Sequence, residues 1–124
     1  MYMKKETIYI PIWDDEIILI YGNQQEVTDY IENKHTGIDV SQYAGDQGNY
    51  FKVIDNNRNK NYHYLVIYEQ YTNHTVYHES LHVSWAILDS RGVEVSYNNQ
   101  EPLAYLMDYI SNEVLIQLNE WKDG

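Results

Sequence analysis

Two histidines and a glutamate stand in the segment His78-Glu79-Ser80-Leu81-His82. On a helix, residues four apart share one face about a turn from each other. Both imidazoles can then offer a nitrogen to the same metal ion, and tetrahedral zinc accepts histidine nitrogens in this way. Glu79 lies beside that face, within reach of a water at an open metal position. Zinc lowers the pKa of such a water to about 7, and a neighbouring carboxylate can take its proton as it attacks a carbonyl. The competing reading of the segment is an ordinary solvated helix face.

The chemistry requires a helix, and the flanking sequence supplies one. No Pro or Gly interrupts Asn73 to Arg91, and Gly92 follows as a natural residue just past a helix end. Tyr77, Leu81, Trp85 and Leu88 recur at helical spacing and are expected to form its core stripe. Pro102 then suits a first helical position. Leu103, Leu106, Met107, Ile110, Val114, Leu118 and Trp121 mark the buried face of a terminal helix.

Upstream, Thr7 to Trp13 and Glu16 to Tyr21 read as strands of a hairpin around Asp14-Asp15. Gln25 to Lys34 carries Val27, Tyr30 and Ile31 at helical spacing and is expected to end near Gly37. Residues 39–49 are polar and read as a loop. Tyr50 to Ile54 and Tyr62 to Tyr68 form a second hairpin with an Asn-rich tip at 55–61. Both faces of the Tyr62 to Tyr68 strand are apolar or aromatic, so both are expected to be covered. This order of elements predicts a single α+β domain over residues 1–124. It consists of a small, mostly antiparallel sheet with the metal helix and a C-terminal helix packed on it.

Composition narrows the partners. The net charge is −11 with only eight Lys and Arg, which argues against a phosphate backbone and favours a cationic or neutral partner. There is no cysteine, so disulfides, thiolate metal sites and cysteine nucleophiles are excluded. The apolar stretch after Lys4 and Lys5 is broken by Thr7, Pro11 and Asp14. Neither a signal peptide nor a spanning helix is read from it, and a cytoplasmic location is expected.

Two histidines leave a zinc site incomplete. A third histidine in the same segment is excluded, because Trp85 and Leu88 occupy the places where the glycine and histidine of such a continuation would fall. Downstream, Asn98-Asn99-Gln100-Glu101-Pro102-Leu103-Ala104-Tyr105 opens the last helix with a carboxylate. HExxH followed by a Glu on the next helix resembles the gluzincin division of zinc metallopeptidases. More closely, HESLHVSWAILDSRGVEV followed by NNQEPLAYLMDYI is similar to small HExxH proteins of phages and mobile elements. The resemblance covers about His78 to Ile110. It implies a minimal zincin-like domain in which His78, His82 and Glu101 hold zinc and Glu79 is the base. Gluzincins often carry an Asp four residues after the ligand Glu, and here that position is Tyr105. Asp108, one turn further, either substitutes for that Asp or is itself the ligand. Tyr105 reads by default as core packing, and alternatively as a phenol stabilising a developing oxyanion.

The remaining histidines read differently. His74 lies four before His78, at the fraying start of the helix. His63 reads as a satisfied, semi-buried strand histidine, and His35 as a solvated helix end. The functional expectation is a zinc-dependent metallopeptidase or amidohydrolase acting on a peptide or protein, with basic residues favoured by the acidic balance. The Tyr62 to Tyr68 strand is expected to hold the extended peptide by edge pairing. The alternative is a non-catalytic zinc protein of phage type that acts by binding a host protein.

Overall fold

The computed structural model describes residues 3–35 and 47–123. Four strands form one sheet: β1 (Lys4–Ile10), β2 (Asp15–Gly22), β3 (Gly48–Asp55) and β4 (Lys60–Tyr68). Their spatial order is β1-β2-β4-β3; β2 and β4 run parallel and the other two pairs antiparallel. Three helices accompany them: α1 (Gln24–Lys34), α2 (Asn73–Ser90) and α3 (Glu101–Asp123). The α+β class with a mostly antiparallel sheet is as the sequence predicts. The expected helix end at Gly37 and residues 39–46 of the expected loop lie outside the described residues.

Local chemistry sets the boundaries. β1 stops at Ile10, earlier than Trp13, because Pro11 has no N–H for the ladder. The chain turns through Pro11 to Asp14, and Asp14 takes φ 47°, a left-handed conformation that aspartate tolerates better than most residues. Asn23 caps α1 by accepting the Glu26 N–H at 3.1 Å. Gly92, at φ +75°, follows the end of α2.

The sheet separates two apolar clusters. On one face Ile20, Val53, Tyr62, Tyr64, Val66 and Tyr68 pack with Val27 and Ile31 of α1. On the other, Ile17, Leu19, Leu65 and Ile67 pack with Val76, Val83, Ile87 and Leu88 of α2 and with Leu106, Ile110, Val114 and Leu118 of α3. Every residue from Tyr62 to Tyr68 is buried, so β4 is covered on both faces as expected. α2 lies over β3 and β4. α3 follows the β1 side: Tyr109 Oη donates to the Tyr9 carbonyl at 3.0 Å, Lys4 Nζ donates to the Trp121 carbonyl, and Trp121 stacks on Tyr21.

The core stripe of α2 is the expected one only in part: Leu88 is buried and Leu81 half-buried, but the two aromatics are not. Tyr77 and Trp85 are 45% and 49% exposed, while Val76, Ser80, Val83, Ser84, Ile87 and Leu88 are buried. Small and branched side chains let the helix settle closer to the sheet than a stripe of large aromatic rings would allow. Ser84 meets the cost of its own burial by donating to the Ser80 carbonyl at 2.6 Å. With this rotation His78 and His82 face outward and Glu79 faces the sheet.

No helix among the described residues is long and apolar enough to cross a membrane.

Candidate metal centre

The start of α2 is fastened to the strand beneath it. The Thr72 N–H donates to Thr75 Oγ1 at 3.2 Å, and the Thr75 hydroxyl donates to Oε1 of Gln47, the residue before β3. Gly48 makes the approach possible. A Cβ there would lie 2.8 Å from both Thr75 Cγ2 and the Val66 carbonyl oxygen, and 3.5 Å from Glu79 Cγ. Any larger residue would push the helix away from β3.

The close approach fixes Glu79. Its side chain is buried although the residue is charged, and the Tyr50 backbone N–H donates to its carboxylate. Burial raises its pKa above the ordinary carboxylate range, opposed by His78, His82 and the Tyr50 N–H. A carboxylate whose pKa is raised by burial is a stronger base than an exposed one.

The two imidazoles meet on the exposed side of the same helix. His78 Nε2 and His82 Nε2 are 3.3 Å apart, and the rings are 4.9 Å between centroids at 74°. Among the described residues, neither ring has another hydrogen-bonding partner. Two nitrogens bound at 2.0–2.1 Å to one tetrahedral zinc stand about 3.3–3.4 Å apart. The pair is thus spaced for a shared ion with the side chains as they stand. One ligand atom from each of His78, Glu79 and His82 lies within 4.8 Å of the others, and these residues form a group able to hold a metal ion.

The other expected site residues are placed elsewhere. Glu101 is the exposed first residue of α3 and stands outside this group, as does Asp108. Tyr105 is not packed in the core as the default reading expects: it is 71% exposed and lines an apolar recess with Ile10, Pro11, Ile12 and Trp13 at the β1–β2 turn. His74 is exposed, its ring 6.2 Å from that of His78 and outside the group. His63 is buried, with Nδ1 2.8 Å from Tyr50 Oη, as a satisfied strand histidine should be.

Two expectations are corrected. His35 is not a solvated helix end. It is 2% exposed, with Nδ1 2.8 Å from Asp55 Oδ2 and Nε2 2.5 Å from Tyr64 Oη. His35, the first residue past α1, is held against the β3–β4 hairpin by these contacts, and no local pattern encodes that. The Tyr62 to Tyr68 strand is not an edge either: β4 is paired on both sides, and the strand at the rim beside α2 is β3. Two further contributors, the Tyr50 N–H and Gly48, have faint sequence signals. The first is main chain, and the second shows only as a glycine opening a strand.

The chain matches no protein-family model, no curated protein and no solved structure.

Proposed function

We propose that the protein is a zinc-dependent peptidase or amidase, with His78 and His82 as metal ligands and Glu79 as general base. The observation that carries this reading is the 3.3 Å separation of the two Nε2 atoms beside the buried Glu79 carboxylate. Bound zinc would supply Lewis acidity, acidifying a water and polarising the carbonyl under attack. Glu79 takes the proton of the attacking water and returns it to the leaving amine; its burial, by raising its pKa, strengthens it as the base. The rim strand β3 passes directly under Glu79 through Tyr50, and its outer edge offers main-chain groups to an extended peptide. The acidic surface favours neutral or basic peptides in general. In this reading the third protein ligand is Glu101, supplied from α3 as the family resemblance implies, with Asp108 as its substitute.

A second reading is favoured by one observation: Glu79 is gathered with the histidines, and Glu101 is not. Glu79 would then be the third ligand, and the protein a non-catalytic zinc protein that acts by binding another protein.

Zinc content of chelator-free preparations separates the two. Wild type should carry about one zinc per chain, and His78→Ala and His82→Ala should each remove it. Under the peptidase reading Glu79→Gln keeps zinc and loses hydrolysis by about 2–4 orders of magnitude, while Glu101→Ala releases zinc. Loss of zinc in Glu79→Gln, with full occupancy in Glu101→Ala, selects the binding protein. Full occupancy in the double histidine variant would sink both.

A further inference from the structure

Below the C-terminal turn of α2, on the same face of the sheet as Glu79, lies a cavity of about 270 Å³. It is lined by Asp15, Lys52, Asn61, His63, Ser90 and Arg91. Lys52 of β3 stands opposite His63 of β4 in the ladder. Arg91 Nη2 donates to the Asp14 carbonyl at 2.9 Å and lies 3.5 Å from Asp15 Oδ2, so the guanidinium is tethered and largely neutralises that carboxylate. His63 Nε2 is 3.4 Å from the same oxygen. Its Nδ1 faces the Tyr50 phenol, whose own pKa is pushed well up by burial and by Asp15. The phenol therefore donates to Nδ1, and Nε2 carries the imidazole proton toward Asp15. Burial lowers the His63 pKa, so the ring is neutral at pH 7.

With Asp15 answered by Arg91 and His63 neutral, one positive charge is left over, that of Lys52. No hydrogen bond or ion pair engages its ammonium among the described residues. In a chain of net charge −11 with eight Lys and Arg, this cavity gathers two cations against one acid and so runs against the overall balance. Lys52, Arg91 and Asn61, which line it, all carry N–H donors, a set that recognises a carboxylate.

Tyr50 connects this cavity to the metal centre. Its backbone N–H meets Glu79, and its hydroxyl meets His63. Lys52 lies two residues further along the same rim strand, about 6.5–7 Å of extended chain away. A peptide lying along β3 with its reacting carbonyl at Glu79 would carry its next same-facing group, or its terminus, to Lys52.

We propose that this cavity is a subsite for a carboxylate of the peptide, either an acidic side chain or the C-terminal carboxylate. The proposal rests on the peptidase reading of the β3 rim, but carboxylate binding can be measured with no metal and no turnover. Three probes serve: N-acetyl-Ala-Glu-Ala-amide, N-acetyl-Ala-Gln-Ala-amide, and N-acetyl-Ala-Gln-Ala with a free C-terminus. Each is titrated into the full chain while the imidazole signals of His63 are followed by NMR across pH. A carboxylate seated beside His63 raises its pKa, so the Glu probe, the free-acid probe or both should do so saturably, and the neutral amide should not. Whichever acts identifies the side chain or the terminus as the source. Lys52→Met should weaken that binding by about tenfold or more, and Lys52→Arg should retain it.

Equal responses to all three probes, no response, or binding unaffected in Lys52→Met overturn the subsite. Zinc-loaded protein assayed on longer versions of the same peptides keeps the two ideas apart. Saturable carboxylate binding without cleavage retains the site and removes the peptidase. Cleavage of acidic and neutral peptides at equal kcat/KM, in wild type and Lys52→Met alike, retains the peptidase and removes the subsite.

Discussion

His35 and the His78–His82 pair occupy opposite sides of the sheet and are satisfied in opposite ways. Both ring nitrogens of His35 are engaged inside the protein, one by Asp55 and one by Tyr64, and Arg58 closes the cluster by donating to Asp55 Oδ2 at 2.9 Å and to the Lys34 carbonyl at 2.7 Å. His78 and His82 are exposed, and among the described residues they hydrogen-bond only each other. The protein spends His35 on holding α1 against the β3–β4 hairpin. Apart from that mutual contact, the ring nitrogens of the α2 pair hydrogen-bond no other group among the described residues. A histidine's role is thus read from where its two nitrogens go, and exposure alone does not separate a ligand from a solvated residue.

The largest expected effect breaks this comparison at its buried end. His35→Ala removes a fully enclosed imidazole and leaves the Tyr64 hydroxyl without its partner, a loss of about 3 kcal/mol. His78→Ala and His82→Ala should each change the stability of metal-free protein by less than about 0.5 kcal/mol, since exposed substitutions away from caps and cores seldom do more. Urea denaturation of the three variants without metal checks both halves. Equal costs at both sites would erase the distinction. The same cluster has a pH signature. Hydrogen bonding to His35 and then to Arg58 holds Asp55 down at about 2. Its contribution is therefore complete above its unfolded value of about 3.9 and is lost as the pH falls through about 2, a limb that should shrink in His35→Ala.

The two sites also differed in how far the sequence exposed them. The candidate metal pair was legible because its partners are four residues apart on one helix, and helical geometry alone brings them together. The His35 cluster joins residues 35, 55, 58 and 64 through tertiary folding, and a histidine just past a helix looks solvated until the hairpin closes over it. The strands and helices were legible from periodicity. The face α2 buries was not, because Tyr77 and Trp85 outweigh Ser80 and Ser84 in hydrophobicity, whereas close packing on a sheet selects for size. The sequence likewise showed a covered strand at Tyr62 to Tyr68 but left its neighbours open, since a two-sided apolar pattern describes a central strand and no pattern assigns the rim.

Gly48→Ala sharpens the comparison from the metal side. The added methyl meets the Val66 carbonyl, which cannot move without disturbing the β3–β4 ladder, and the Thr75 methyl at the start of α2. A cost of about 1–3 kcal/mol is expected, with α2 lifted from β3. Glu79 should lose the Tyr50 N–H while His78 and His82, on the outward side, keep their mutual spacing. Under the peptidase reading, zinc affinity should therefore fall less than hydrolysis, measured as metal Kd against kcat in one preparation. A parallel loss of both would mean that Glu79 and the histidines act as one ligand set.

The smallest effect concerns His63, which stands between the two extremes. It is buried like His35, but only one nitrogen has a short contact: Nδ1 meets Tyr50 Oη at 2.8 Å, while Nε2 is 3.4 Å from Asp15. Burial is the largest influence on its pKa and pulls it down, and the Asp15 charge opposes it only in part. The folded value thus lies below the unfolded one, about 6.5, so over that interval the unfolded chain binds more protons. The stability associated with neutral His63 is complete above about pH 6.5 and is lost as the pH falls through the folded pKa. Urea midpoints of wild type should decline on acidification from pH 7 toward 5, a range well above the Asp55 limb. His63→Gln keeps a polar side chain but cannot titrate, so its midpoints should stay flatter over that range. If wild type and His63→Gln decline in parallel, the Asp15 carboxylate already compensates the buried imidazolium, and His63 is as fully satisfied as His35.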